Sequence, residues 1–266
     1  MPRDIVICGA AGRMGREILR LLPEHPEFAL KGAVERPNHP LLGQDAGSVA
    51  GISPLGVRIH HDLESFMGAN VVVVDFSSPE ASLQHLRSAV HHQAAIVIGT
   101  TGFSAQQTSE LDELADKTRC LVSSNMSLGI AVLTKLAELA ALALKDSFDI
   151  EIVEMHHRHK VDAPSGTALT LADAVARVTG TPRTSFRYGR EGRIGPRARG
   201  EIGILALRGG DVVGDHTVVF AGGAERIELV HRAQSRECFA RGALKAASWL
   251  CNQPVGRYSI RDMLGI

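Results

Sequence analysis

The chain has few cysteines, and none of them are arranged to bind a metal or form a disulfide framework. Its four cysteines, Cys8, Cys120, Cys238 and Cys251, are scattered, and no two form a CxxC pair. Cys8 and Cys120 fall in apolar, strand-like runs, where a reduced cysteine packs as a small hydrophobe. The pattern predicts a reducing compartment rather than a disulfide-stabilised secreted protein.

The sequence also has no net charge, and its pattern predicts neither a membrane span nor a signal peptide. Lysine plus arginine and aspartate plus glutamate each number 29, so the formal net charge is zero, which disfavours a general nucleic-acid-binding protein. The most apolar helical stretch, 128–144, contains Lys135 and Glu138, which predicts a buried amphipathic helix rather than a bilayer span. A strand-like run begins at Asp4 and leaves no room for a signal peptide, so a cytoplasmic location is expected.

The first half of the chain alternates strand and helix patterns. The length of 266 residues and the 44% apolar content suit one large or two modest globular domains. Short apolar runs at 4–9, 30–34, 71–76 and 95–98 are separated by helical patterns. The β-branched run 71–76 is typical of a strand covered on both faces. This alternation predicts an α/β domain with a doubly wound parallel sheet.

The second half has a different pattern. Three strand-like runs, 202–207, 212–220 and 227–230, are joined by glycine-rich turns, which predicts an α+β domain with a mostly antiparallel sheet. A helical pattern returns from Ser235. We therefore expect a dinucleotide-binding domain at 1–127, completed by 238–266, and a second domain at 128–237.

Three glycines, Gly9, Gly12 and Gly15, lie between the first predicted strand and the first predicted helix. There glycine allows a tight turn, close approach of the backbone to a diphosphate and close helix–strand packing. Glu35 ends the second predicted strand, 20 residues after Gly15, where a dinucleotide fold places an acid on the ribose hydroxyls. Arg36 can meet a 2′-phosphate, so the pair predicts NADH, NADPH or both. The alternative is a plain glycine turn beside an exposed Glu–Arg pair.

Two further polar loops follow predicted strands at the edge where ligands bind in such sheets. They are 99–102 (GTTG) and 123–126 (SSNM). Either could be a plain polar turn, but their shared location favours backbone contacts to the nicotinamide and its ribose.

The segment 154–167, EMHHRHKVDAPSGT, concentrates cationic side chains directly before a helix start. Adjacent cations repel one another, so folding stability alone is a poor reason for the run. The run suits a site that binds a small polyanion and supplies protons, because histidine titrates near neutrality and Lys160 adds a charge or a second donor. Ser165 can cap the following helix, and the N–H groups of Gly166 and Thr167 would then receive a carboxylate.

The cationic residues are open to other interpretations. A metal site is disfavoured because Arg158 and Lys160 lie among the imidazoles and would oppose a dication. The alternative without a catalytic role is a solvated basic loop or a nucleic-acid-binding patch. A second run, 183–199, has six arginines and one acid, Glu191. It predicts a loop that either reaches a phosphate or carboxylate or stays exposed without a ligand.

Together these motifs resemble those of the 4-hydroxy-tetrahydrodipicolinate (dihydrodipicolinate) reductase family of the diaminopimelate route to lysine. The resemblance covers nearly the whole chain, through GAAGRMGRE, VVDFSSPEA, IGTTGF, SSNMSLGI, EMHHRHKVDAPSGTAL, GEIGILALRGGDVVGDHTVVFAG, ERIELVHRAQSRECFARGALKAASWL and GRYS. The EMHHRHKVDAPSGT motif is highly specific, whereas the glycine loop alone is not. Met126 departs from the aromatic residue that family members often carry there.

The resemblance implies NAD(P)H-dependent reduction of a cyclic dicarboxylate, 4-hydroxy-tetrahydrodipicolinate, with loss of water. It implies a Rossmann domain completed by the C-terminal helix, and an inserted domain with the substrate site and homotetramer contacts. His156 would be a proton donor or acceptor and Lys160 a proton donor. His157, Gly166 and Thr167 would bind the substrate. The nucleotide would be bound by Gly9, Ala10, Ala11, Gly12, Arg13, Met14, Glu35, Arg36, Gly99, Thr100, Thr101, Ser123, Ser124, Asn125 and Met126.

Two other functions compete with this one. A dinucleotide-binding sensor would not need the proton donors of the cationic segment. A different amino-acid dehydrogenase could share the nucleotide domain, but it would not share the motifs of the second half.

Overall fold

The computed structural model describes residues 2–266, and the chain divides into two compact units. One unit contains the chain up to Leu128 together with Arg236–Ile266, and the other contains Gly129–Ser235. No helix among the described residues is both long and apolar enough to cross a bilayer.

The strands are β1 (Arg3–Cys8), β2 (Phe28–Val34), β3 (Ile59–His60), β4 (Val71–Asp75), β5 (Ala95–Ile98), β6 (Arg119–Val122), β7 (Asp149–His156), β8 (Phe186–Arg187), β9 (Ile202–Arg208), β10 (Gly214–Ala221), β11 (Arg226–Ala233) and β12 (Gly256–Tyr258). The α-helices are α1 (Arg13–Leu21), α2 (Ala46–Ala50), α3 (Pro79–His92), α4 (Ala105–Ala115), α5 (Leu128–Leu144), α6 (Gly166–Thr179), α7 (Glu237–Leu250) and α8 (Ile260–Leu264).

The first unit is built on a seven-stranded sheet in the order β12-β6-β5-β4-β1-β2-β3. Every neighbouring pair is parallel, as expected where helices connect successive strands. All five residues of β4 are buried, which confirms a strand covered on both faces. The predicted doubly wound, Rossmann-type sheet is therefore confirmed, while β3, β12, α2 and α8 were not predicted.

The carboxyl ends of these parallel strands meet at one edge of the sheet. β1 leads into Gly9, β2 into Glu35, β5 into Gly99 and β6 into Ser123. The predicted nucleotide-binding loops therefore share the edge at which ligands bind in open α/β sheets. Ser104 and Gln107 form a capping box at the start of α4, the helix that follows β5.

The second unit contains a five-stranded sheet in the order β11-β10-β7-β9-β8. β10 is antiparallel to both β11 and β7, whereas β9 is parallel to both β7 and β8. The expectation that the last three strands would form one antiparallel series is wrong for β9, which is separated from β10 by β7. Because α6 lies between β7 and β9 in the chain, it forms a crossover connection, which makes the two strands parallel.

Helices α5 and α6 pack on this sheet around a core that includes Ile152, Leu171 and Phe220. β7 alternates in burial, so Ile150, Ile152, Glu154 and His156 point to its buried face. The core face of this strand therefore carries a carboxylate and an imidazole at its end.

The prediction that α5 is a buried amphipathic helix is correct for only one of its faces. Ile130, Leu133 and Ala137 are buried, but Val132, Leu136, Leu139 and Leu142 are between 43% and 56% exposed. Residues three and four positions apart share a helix face, so the exposed side chains form one apolar ridge.

The arginine-rich run contacts carboxylates of its own unit. Arg190 binds Glu151 and the buried Glu201, with its Nη1 2.9 Å from Glu151 Oε2. Arg197 donates to Asp149 Oδ1 (2.8 Å) and to Glu151 Oε1 (3.0 Å). The guanidinium groups of these two arginines are thus bound by carboxylates beside β7.

Candidate active site

The glycine loop after β1 has a shape that larger residues would obstruct. Gly9 has a φ of +73°, and a Cβ there would lie 2.4 Å from the carbonyl oxygen of Phe76. A Cβ at Gly15 would lie 2.2 Å from the carbonyl oxygen of Gly9. Because these neighbours are backbone atoms, only glycine fits either position without moving the loop. The predicted roles of glycine in the turn and in helix–strand packing agree with this geometry.

The N-terminus of α1 suits an anionic group. Its N-cap residue, Gly12, provides no side-chain hydrogen bond, and its first turn contains no acidic residue. Helix N-terminal N–H groups bind phosphate through hydrogen bonds and the helix dipole. The loop and helix therefore fit the diphosphate of a dinucleotide.

A pocket of about 460 Å³ lies beside this loop and is lined by Glu35, Arg36, His61 and His85, among others. Glu35 Oε1 accepts a hydrogen bond from the Ala11 N–H at 3.1 Å, and its Oε2 accepts one from the Arg36 N–H at 3.1 Å. The carboxylate is thus fixed at the mouth of the glycine loop, where it can accept hydrogen bonds from ribose hydroxyls. Arg36 lines the same pocket, and an arginine there suits a 2′-phosphate.

A buried polar network that was not predicted from the sequence supports this pocket. Asp75 is fully buried and lies 3.0 Å from His85 Nδ1, and it accepts hydrogen bonds from the N–H and hydroxyl of Ser77. Burial opposes a charge on His85, but its contact with Asp75 raises its pKa overall. Burial in turn raises the pKa of the Cys8 thiol. A histidine bonded to a buried aspartate thus lines this pocket.

The loop after β5 fits closely against the end of β4. A Cβ on Gly99 would lie 2.1 Å from the ring of Phe76. The hydroxyl of Thr100 accepts hydrogen bonds from the Ser77 N–H at 3.1 Å and from Ser82 Oγ at 2.7 Å. The Thr100 side chain is therefore occupied by contacts within the protein, which leaves its backbone groups for a ligand.

The loop after β6 is held by its own hydrogen bonds and by α7. Ser123 Oγ donates to the Asn125 carbonyl at 2.7 Å, and Asn125 Oδ1 accepts from the Ser127 N–H at 2.8 Å. Met126 is buried, and a Cβ on Gly242 of α7 would lie only 1.8 Å from its carbonyl oxygen. The backbone at Met126 can therefore lie this close to α7 only because residue 242 is glycine.

In the second unit, His156 is buried at the end of β7, and its ring is bonded to a carboxylate. Its Nδ1 lies 2.6 Å from Glu154 Oε2. Glu154 is fully buried and accepts three further hydrogen bonds, two from Arg208 at 2.8 Å each and one from the Ser165 N–H at 2.9 Å. Burial raises the pKa of Glu154, but its hydrogen bonds to Arg208, His156 and Ser165 lower it overall. Glu154 is therefore ionised and only accepts hydrogen bonds.

A second histidine lies against the first. The ring centroids of His156 and His216 are 5.1 Å apart in an edge-on arrangement, and His216 Nε2 lies 3.2 Å from Ser165 Oγ. Burial, with a smaller contribution from the neighbouring His156, lowers the pKa of His216 to about 4. His216 is thus neutral near pH 7.

The loop after His156 carries the remaining predicted residues. Lys160 Nζ donates to Asp162 Oδ1 at 2.8 Å, and the His157 N–H donates to the Val212 carbonyl at 2.7 Å. Ser165 caps α6 as predicted, since its hydroxyl accepts from the Ala168 N–H at 3.1 Å. Gly166 and Thr167 follow in the first turn of the helix, where N–H groups receive anions.

The structure thus places the predicted residues in two groups. His156, His157, Lys160, Gly166 and Thr167 lie at one end of the second unit, and the predicted nucleotide-binding residues lie at the edge of the first sheet. Sequence reasoning missed Glu154, Arg208 and His216. A signal for Glu154 was available, because it alternates with Ile150 and Ile152 on β7 and so shares their buried face.

Family models match the chain almost from end to end. The model described as dihydrodipicolinate reductase, N-terminus, matches residues 3–126, and the model described as dihydrodipicolinate reductase, C-terminus, matches residues 129–264.

Individual relatives show the same similarity. The chain is 48% identical to the 4-hydroxy-tetrahydrodipicolinate reductase of Anaeromyxobacter dehalogenans, over 98% of this chain and 97% of that protein. It is 48% identical to the reductase of the same name from Alkalilimnicola ehrlichii, over the full length of both. Among solved structures, a dipicolinate-bound dihydrodipicolinate reductase from Paenisporosarcina sp. TG-14 matches with a TM-score of 0.77 and 26% identity, covering 97% of this chain and 98% of that one.

Proposed function

The chain belongs to the dihydrodipicolinate reductase family, and from this premise we propose that His156 and Lys160 carry out the proton transfers of the family's reaction. That reaction is the NAD(P)H-dependent reduction of 4-hydroxy-tetrahydrodipicolinate to tetrahydrodipicolinate, with loss of water, in the biosynthesis of lysine and diaminopimelate. The chain is accordingly an oxidoreductase. The observation that carries the residue assignment is the buried His156–Glu154 pair, followed by the loop that bears Lys160.

The residues after β7 suit a ring with two carboxylates. Lys160 provides a positive charge, and the first turn of α6 at Gly166 and Thr167 provides backbone N–H groups near the positive end of the helix dipole. His157 adds a further polar ring beside the loop. We assign these residues to carboxylate binding because the substrate ring carries two carboxylates, and each of them needs hydrogen-bond donors.

The proton transfers are assigned to the side-chain atoms that can exchange a proton with the substrate. The substrate loses its 4-hydroxyl as water, which requires a proton on the leaving oxygen and the loss of a proton from the adjacent ring carbon. The reduced nicotinamide, when bound, supplies a hydride to C4. The resulting enamine must then be protonated. Because Nδ1 of His156 is bonded to Glu154, Nε2 is the atom that exchanges a proton with the substrate, and Lys160 Nζ is the second donor. Nearby fixed cations stabilise negative charge that develops in the transition state, commonly by several kcal/mol.

We assign nucleotide binding to the first unit. Backbone groups of the glycine loop, from Gly9, Ala10, Ala11, Gly12, Arg13 and Met14, would hold the diphosphate. Glu35 would bind the ribose hydroxyls and Arg36 a 2′-phosphate, which supports use of both NADH and NADPH. The nicotinamide and its ribose would contact the backbone of the two later loops, at Gly99, Thr100, Thr101, Ser123, Ser124, Asn125 and Met126.

We further propose a cytoplasmic homotetramer whose subunits contact one another through the second unit. All four cysteines are free, which suits a reducing compartment. Leu207, Ile227 and Val230 on the second sheet are between 39% and 51% exposed, which suits burial against another copy. Analytical ultracentrifugation that finds only monomers at micromolar concentration would contradict the tetramer.

The function is tested by a coupled assay in which dihydrodipicolinate synthase makes the substrate in situ from pyruvate and aspartate semialdehyde. We expect NADH and NADPH oxidation that depends on the added synthase. His156→Ala and Lys160→Ala should each lower turnover by about 100-fold or more while NADH affinity stays near that of the wild type. Wild-type turnover in both variants would remove these residues from the mechanism.

A further inference from the structure

We propose that Arg208, acting through Glu154, is a positioning residue that fixes both the tautomer of His156 and the loop that carries Lys160. The inference rests on the proposed function, in which His156 and Lys160 exchange protons with the substrate.

A single guanidinium contacts both parts of the site. Arg208 on β9 is the register partner of His156 on β7. Its Nη1 donates to Glu154 Oε2 at 2.8 Å and its Nη2 donates to Glu154 Oε1 at 2.8 Å. Nη2 also donates to the Asp162 carbonyl at 2.6 Å, within the loop that follows Lys160. The planar fork of arginine makes these contacts from one fixed orientation, which lysine cannot reproduce.

The contact with Arg208 decides which hydrogen bonds Glu154 can make. The carboxylate is fully buried, and without its cationic partner burial would raise its pKa. A protonated carboxyl group can donate as well as accept, so it would no longer select one tautomer of the neighbouring ring. With Arg208 in place, Glu154 only accepts, and the proton on His156 Nδ1 is fixed.

The consequence lies at the opposite nitrogen of the ring. With Nδ1 as the donor to Glu154, the neutral form of His156 has its lone pair on Nε2, and the cationic form releases its proton from Nε2. Nε2 lies close to the backbone of Gly214, since a Cβ there would come within 3.0 Å of it, so the absence of a side chain at Gly214 lets the ring occupy this position. Arg208 and Glu154 thus direct proton exchange to Nε2 without themselves touching the substrate.

The test combines kinetics with a tautomer measurement. Glu154→Gln removes the charge but keeps the shape, and its amide can donate to Nδ1. We expect kcat to fall by about 100-fold while KM and the Kd for NADH stay within about twofold of wild type. In ¹⁵N NMR of histidine-labelled protein, assigned with His156→Gln, the His156 signal should change from the Nδ1–H form toward the Nε2–H form.

Arginine variants separate charge from geometry. Arg208→Met should lower kcat as far as Glu154→Gln does. Arg208→Lys restores a charge without the fork and should lower kcat by about tenfold. Asp173→Asn is the matched control, because Asp173 makes a bidentate pair with the exposed Arg183 in the same unit. It should leave kcat and the His156 signal unchanged.

Wild-type kcat and an unchanged His156 signal in Glu154→Gln or Arg208→Met would overturn the inference. If neither variant folds, Arg208→Lys decides it, since wild-type kcat and an unchanged His156 signal there would also contradict it. The proposed function fails separately, through an absence of synthase-dependent oxidation by the wild-type protein. The NMR measurement does not need turnover, so the two failures can be told apart.

Discussion

Replacing Gly242 with alanine should displace the loop 123–126, which is proposed to contact the nucleotide, without changing any residue assigned to the site. A Cβ on Gly242 would lie 1.8 Å from the Met126 carbonyl oxygen and 2.9 Å from its carbonyl carbon. Since Cβ atoms essentially never approach closer than 3.0 Å, α7 and the loop would have to separate by about 1.2 Å. Both contact atoms belong to the backbone, so no side-chain rotation relieves the clash.

Two opposing contributions set the size of the effect. Alanine is favoured over glycine in a helix interior by about 1 kcal/mol. Overpacking of a close-packed site costs about 1–3 kcal/mol, and more where backbone must move. We therefore expect a net loss of roughly 2 kcal/mol, which corresponds to a Tm lower by roughly 4–8 °C for a chain of this size.

The assays are thermal unfolding and a fluorescence titration with NADH. We expect Gly242→Ala to have a lower Tm and, because Met126 moves, a weaker affinity for NADH. Gly68→Ala is the control, because Gly68 has open space around its α-carbon and no positive φ, and its effect should stay within about 0.5 kcal/mol. Wild-type stability and NADH affinity in Gly242→Ala would refute the packing argument.

Three further changes test other parts of the structure. Arg36→Ala should weaken NADPH binding roughly 10- to 150-fold more than NADH binding, because a charge-assisted contact to phosphate contributes about 1.5–3 kcal/mol; equal losses in a titration would contradict this assignment. Ser165→Ala removes the cap on α6 and a neighbour of His216, and should lower the free energy of unfolding in urea by about 1–2 kcal/mol; an unchanged midpoint would argue against the cap. The folded-state pKa of His216, about 4, lies below its ordinary 6.5, so its contribution to stability is present above pH 6.5 and is lost as the pH falls toward 4. That loss is up to about 3 kcal/mol, and His216→Asn should flatten the pH dependence of unfolding between these values; an unchanged slope would contradict the shift.

The first sheet could be predicted because its core strands are continuous apolar runs between helical patterns. Val71–Asp75 is the clearest case, since a short run of β-branched residues is typical of a strand that is buried on both faces. β12 could not be predicted in the same way, because its three residues are not buried and it joins the sheet through backbone pairing with β6. The direction of β9 could have been predicted, because the helix between β7 and β9 already requires a crossover.

The candidate site was only partly predictable. A run of adjacent cations is unusual enough to identify the segment with His156 and Lys160 from the sequence alone. Glu154 and Arg208 looked like ordinary charged residues at strand ends, and only the alternation along β7 places Glu154 on the buried face. The carboxylate partners of Arg190 and Arg197 lie up to 48 residues away in the chain, so no local pattern could identify them.

The most direct measurement of the proposed chemistry is a crystal structure of the protein with NADPH and dipicolinate, the ligand of the Paenisporosarcina relative. We predict that the carboxylates of dipicolinate contact Lys160 and the first-turn N–H groups of Gly166 and Thr167, with His156 Nε2 facing the ring. Dipicolinate bound with its carboxylates away from the segment 156–167 would contradict the assignment.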